Sequence, residues 1–137
     1  MGTSDWSNYT TEADIRINEK RRQMGDAGII AQRYTLVAFG NSSRLEMNSW
    51  QPEVTRAASA PFDWKANFWY HLKLRVENQA DGKTHIQGKA WPRDEAEPSG
   101  WLIDRVDSIP NRQGSPGLFA DAQFGVYFDN LKVTPNQ

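Results

Sequence analysis

The sequence predicts an all-β fold, an antiparallel β-sandwich, and three observations carry that expectation. No segment longer than about ten residues has helical periodicity. Turn-forming residues punctuate the chain roughly every ten residues, the spacing of short sandwich strands. The stretch Gly114-Ser-Pro-Gly-Leu-Phe-Ala-Asp-Ala-Gln-Phe-Gly-Val-Tyr-Phe-Asp-Asn-Leu-Lys-Val133 holds a Gly/Pro turn, a short apolar strand, a polar break and an aromatic, β-branched strand, with no helix between.

The elements follow in order. Residues 1–8 are a tail, 9–134 a single sandwich domain and 135–137 a second tail. In residues 9–17, Tyr9, Thr11, Ala13, Ile15 and Ile17 share one face and Thr10, Glu12, Asp14 and Arg16 the other, the pattern of a half-buried strand. Residues 18–26 are a charged connector with room for one helical turn. Residues 28–39 form one long β-prone run that ends at the turn signal Gly40-Asn41. Residues 44–50 alternate again, with Leu45 and Met47 opposite Arg44, Glu46, Asn48 and Trp50. A short strand is expected at 54–59 and a loop at 61–64. Short strands at 101–106 and 117–120 precede a closing strand at 124–134.

The clearest unit is a hairpin of residues 69–78 and 84–91. A three-residue loop, Ala80-Asp81-Gly82 with Gly82 left-handed, pairs Gln79 with Lys83. Glu77 then faces His85, Arg75 faces Gln87, Lys73 faces Lys89 and His71 faces Trp91. Tyr70, Leu72, Leu74 and Val76 point to the core. Lys73 opposite Lys89 is a conflict, because like charges directly across a ladder repel. Either the register is off by two, or something anionic or polar lies there.

Composition narrows the chemistry. The 137 residues carry a net charge of −1 with no basic block, which disfavours nucleic acid or an anionic membrane surface as partner. There is no cysteine, so disulfides, thiolate catalysis and zinc–cysteine sites are excluded. No apolar run reaches the ~18 residues of a membrane span. Hydrophobic residues are 38%, yet there are six tryptophans, so some rings are expected at the surface. Trp64, Trp69 and Trp101 sit beside turns or strand starts and read as core plugs.

Two stretches resemble the concanavalin A-like (laminin-G-like) jelly-roll family: Phe62-Asp-Trp-Lys-Ala-Asn-Phe-Trp-Tyr-His-Leu-Lys-Leu-Arg-Val76 and residues 117–133. Gly28-Ile-Ile-Ala-Gln-Arg-Tyr34 and Gly88-Lys-Ala-Trp-Pro-Arg93 resemble, more narrowly, the sandwich domain appended to bacterial quinoprotein-type β-propeller chains. The resemblance implies a concanavalin A-like jelly roll in a periplasmic or extracellular protein whose leader has been removed. It implies carbohydrate recognition, protein–protein contact or, in some branches, glycoside cleavage. Related domains hold a structural calcium near an Asp of the closing strand, which makes Asp129 a candidate ligand together with Glu12 or Asp14.

The site expected from the residues is a polar, ring-bearing sheet face. Sugars stack C–H faces on flat rings and pair hydroxyls with planar polar groups. Arg33, Tyr34, Arg44, Glu46, Asn48, Trp50, Gln87 and Trp91 supply those groups. The function read from them is a non-catalytic module binding an oligo- or polysaccharide, with a protein partner or parent-chain domain as a further possibility. The alternatives are a glycoside hydrolase or lyase and a structural docking domain. Glycosidases on this fold use Glu-x-Asp-x-x-Glu; Glu12-Ala-Asp14 supplies the start, but Ile17 stands in the third place, so the pair reads as a solvated strand face and no catalytic residue is assigned. His71 and His85 lie roughly 20 Å apart along the ladder and cannot share a metal. His85 reads as a surface partner of Glu77.

Overall fold

A computed structural model describes residues 5–49, 57–122 and 125–136. It contains two five-stranded antiparallel sheets. The first runs β10 (Ile103–Asp107), β9 (Thr84–Pro92), β8 (Trp69–Asn78), β1 (Tyr9–Ile17), β12 (Val126–Pro135). The second runs β11 (Gly117–Asp121), β4 (Asp26–Ala31), β5 (Tyr34–Phe39), β6 (Arg44–Ser49), β7 (Ala58–Pro61). A small ladder of β2 (Glu19–Lys20) and β3 (Gln23–Met24) stands apart. No helix occurs among the described residues.

Strand alternation builds the core. Ala13, Ile15, Leu72, Leu74, Val76 and Ile86 of the first sheet meet Ile29, Leu36, Ala38, Leu45 and Met47 of the second, all buried. At Gly88 the interlocking is tightest: a Cβ built there would lie 2.7 Å from Leu36 Cδ1 on the facing sheet. Trp64 closes the edge of the core, stacked on Phe62 at 4.0 Å and edge-on to Tyr70 at 4.9 Å, its indole N–H donating to the Arg44 carbonyl. Trp69 and Trp101 do not share that role. Trp69 faces outward beneath the Arg93 guanidinium, and Trp101 packs on the outer face against Lys89.

Two connections differ from the sequence expectation. The run 28–39 is two strands, because Gln32 and Arg33 take φ of 50° and 65° and form a two-residue hairpin turn. Tertiary bonding offsets the strain at Gln32. Its N–H donates to the Tyr9 hydroxyl, and its fully buried amide donates to Asn78 Oδ1 and the Asn111 carbonyl and accepts from the Asn8 N–H. Arg21 and Arg22 turn the same way, so the 18–26 connector is the β2–β3 hairpin and not a helical turn. Of the strand expected at 54–59, residues 58 and 59 lie in β7, which runs on to Pro61, the first residue of the expected loop; residues 54–56, like Phe124 of the closing strand, lie outside the described residues.

The Gly88–Leu36 contact yields a test. Leu36→Ala should cost about 2–5 kcal/mol in urea unfolding and Gly88→Ala about 1–3 kcal/mol. The double variant should lose less than the sum, because the added methyl enters space the leucine vacates. Strict additivity would show that the two residues do not interlock.

Candidate functional site

β6 points Leu45 and Met47 inward and so presents Arg44, Glu46 and Asn48 outward in one row. The row is internally bonded: Arg44 Nε donates to Glu46 Oε1 at 3.2 Å, and Asn48 Nδ2 donates to Glu46 Oε2 at 2.8 Å. On β5, Thr35, Val37 and Phe39 lie across the ladder from Asn48, Glu46 and Arg44. The Arg44 guanidinium sits 4.3 Å from the centre of the Phe39 ring. A guanidinium, a carboxylate and an amide are thus held in fixed order beside a ring and an apolar floor. Trp50, expected to extend the row, lies outside the described residues.

The other expected residues do not join this surface. Tyr34 is 1% exposed and faces the interior edge, its hydroxyl donating to Asp107 Oδ2 and accepting from the Asn111 N–H. Arg33 lies in the β4–β5 turn, its carbonyl bonded to Asn111. Gln87 and Trp91 project from β9, on the outer face of the other sheet. Arg44, Glu46 and Asn48 are therefore on one outward face and Gln87 and Trp91 on another, because alternation tells which side of a strand a residue occupies but not which sheet the strand joins. Trp91 is also only 7% exposed, packed against His71 with ring centres 4.8 Å apart.

The first sheet carries a cluster that the sequence reading missed. β1 lies between β8 and β12, with Asp14 across from His71 and Glu12 across from Lys73. His71 Nδ1 lies 2.6 Å from Asp14 Oδ1, and Nε2 lies 2.8 Å from Glu12 Oε1. Both ring nitrogens face acceptors, so the arrangement holds an imidazolium. Asp14 is 2% exposed, not solvated; its second oxygen accepts from Asn130 Nδ2 at 2.6 Å, with Arg93 at 3.8 Å. Asn130 reaches it from a bulge in β12, at φ 53°. Glu12 and Asp14 thus grip one cation between them and do not face each other across an open groove as hydrolysis requires.

Asp129 stands at the rim of this cluster. Its Oδ1 accepts the Asn130 N–H, and its Oδ2 is 3.7 Å from the Arg93 guanidinium. Among the described residues, no three His, Asp or Glu side chains are grouped to hold a metal ion. The β8–β9 register is the expected one, and the Lys73–Lys89 conflict is resolved by an anion. Glu97, in the loop after β9, places Oε2 3.1 Å from Lys73 Nζ and 2.8 Å from Lys89 Nζ. His85 pairs with Asp104 at 2.6 Å instead of Glu77, which binds Arg75.

The imidazolium makes stability depend on pH. Burial alone would lower the His71 pKa, but the hydrogen bonds to Glu12 and Asp14 outweigh it and raise the pKa above the ordinary 6.5. The Glu12 carboxyl is held below its ordinary 4.5, chiefly by the His71 hydrogen bond. A raised histidine stabilises fully below its unfolded pKa, and that stability fades as pH rises through the folded one. A depressed carboxyl stabilises fully above its unfolded pKa, and that stability fades as pH falls through the folded one. The contribution is therefore complete between pH 4.5 and 6.5. The melting-temperature gap between the unsubstituted chain and His71→Gln should be widest in that window and narrow on both sides. A gap independent of pH would show that the ring carries no charge.

No family model matches the sequence, and no curated protein matches it. Among solved structures the chain is similar to sheep galectin-11 in complex with glycerol, with a TM-score of 0.58 over 96% of this chain and 94% of that one, at 5% sequence identity. At that identity the likeness is one of fold, and the fold is the galectin-like, concanavalin A-like jelly-roll sandwich.

Proposed function

We propose that this domain is a non-catalytic saccharide-binding module that reads its ligand with the outer face of β5 and β6. The observation that carries the reading is the bonded row Arg44–Glu46–Asn48 beside Phe39. Vicinal hydroxyls of a pyranose each donate and accept, and such a row offers donors and acceptors in alternation. The row is held by strand geometry and by its own hydrogen bonds, so little side-chain freedom is lost when a ligand arrives. The partly exposed Phe39 ring supplies apolar surface that sugar C–H groups contact, above the buried Val37. The shared fold supports this reading, since the galectin-11 structure is a complex with glycerol, a small polyol. An exported bacterial setting, as an accessory domain of a β-propeller chain, goes with the reading and rests on the resemblance of residues 28–34 and 88–93.

The test is calorimetric titration of neutral oligosaccharides into the full chain and two variants. Glu46→Ala removes the acceptor of both hydrogen bonds, and Arg44→Ala removes the guanidinium over Phe39. Each should weaken binding by about tenfold or more, which is ~1.4 kcal/mol. An unsubstituted chain that binds no saccharide, or variants that bind as well as it does, would end the reading.

A further inference from the structure

We propose that Lys73 and Lys89 form an anion seat on the outer face of the first sheet, that Glu97 fills it in the free protein, and that the carboxylate of an acidic saccharide, a uronic acid, displaces Glu97. The seat is independent of the β5–β6 row, which lies on the other sheet.

Two ammonium groups directly opposite on adjacent strands repel, so the β8–β9 ladder demands an anion at this point. Glu97 meets the demand with a single oxygen shared by both lysines. Lys89 belongs to the sheet and is 3% exposed, its ammonium fixed by the Pro98 carbonyl at 2.6 Å and by the Trp101 and Trp91 rings at 4.5 and 5.6 Å. The Pro98 carbonyl comes from the loop, but the part of the seat that the sheet supplies, both lysines and the Trp91 ring, is preformed. Its occupant is not: the Glu97 side chain is 42% exposed, and the residues around it, 93–100, are all exposed. Between Arg93, whose N–H bonds the Trp69 carbonyl, and Leu102, whose N–H bonds the Gly88 carbonyl, the loop reaches the sheet through the Glu95 N–H, bonded to the Pro92 carbonyl at its start, and through Glu97, Pro98 and Trp101 at these two lysines.

The loop is thus a strap fastened by the charge that a ligand would bring. A uronate presents a carboxylate on a pyranose ring. Its carboxylate replaces that of Glu97 on Lys73 and Lys89, and its C–H face lies on the partly exposed Trp101 indole. Glu97 competes intramolecularly, so apparent affinity is the intrinsic affinity reduced by the fraction of time the strap is open.

The experiment titrates a glucuronate oligomer and the matching glucose oligomer into the full chain, Glu97→Gln and Glu97→Gln/Lys73→Met, read by calorimetry and tryptophan fluorescence. Glu97→Gln should bind the uronate about tenfold tighter than the unsubstituted chain, and the added Lys73→Met should abolish the gain. The glucose oligomer should show no difference between the unsubstituted chain and Glu97→Gln; any dependence it shows on Glu46 reports on the β5–β6 reading alone. Folded Glu97→Gln that binds uronate no better than the unsubstituted chain overturns the proposal. Should Glu97→Gln fail to fold, amide exchange of residues 94–100 in the unsubstituted chain decides: saturating uronate should speed it severalfold, and unchanged exchange overturns the proposal.

Discussion

The structure turns on the placement of β1 between two long partners. A strand that is central to its sheet and covered on both sides takes its outward polar residues out of water. Asp14 is the extreme case, and a carboxylate so desolvated persists only if its oxygens are bonded and its charge is matched. His71 provides the charge from β8, Asn130 a hydrogen bond from β12, and Arg93 a second cation from the start of the strap. The left-handed bulge at Asn130 aims its amide across the strand at Asp14. Trp91 then packs on the His71 ring and is withdrawn from solvent.

The two outer faces consequently have different characters. On the second sheet the outward polar side chains of β6 stay partly exposed and, among the described residues, are bonded along their own strand. On the first sheet the corresponding surface is consumed by ion pairs that cross from strand to strand, and a loop is folded down upon it. Similar residue types meet on both faces. What separates the two is that the pairs on the first sheet cross from strand to strand and hold a loop down, whereas the Arg44–Glu46 pair runs along one strand.

Much of the fold was legible in the sequence where contacts are local. Asp81-Gly82 and the alternation on either side fix the β8–β9 hairpin in register, down to the clash that called for an anion at Lys73 and Lys89. The turn at Gln32-Arg33 was illegible because it contains neither glycine nor asparagine, and what holds it is a buried amide bonded to residues far along the chain. The same limit applies to the site. Alternation exposed Arg44, Glu46 and Asn48 correctly but could not separate them from Gln87 and Trp91, since sheet membership is decided by long-range pairing. His71 and Asp14 lie 57 residues apart and meet only because β1 pairs with β8. The signal available in advance was the acidic outer face of residues 9–17, a poor composition for a central strand unless a cation stood opposite.

The amide network around Gln32 has a geometric consequence. Asn136 donates its backbone N–H to the Asn8 carbonyl and its side chain to the Val76 carbonyl, while Asn8 reaches Gln32 and Asn78. Both flanks of the polypeptide thereby emerge side by side at one pole of the sandwich. A surface tether, a fusion or a neighbouring domain attached through either flank leaves by that pole.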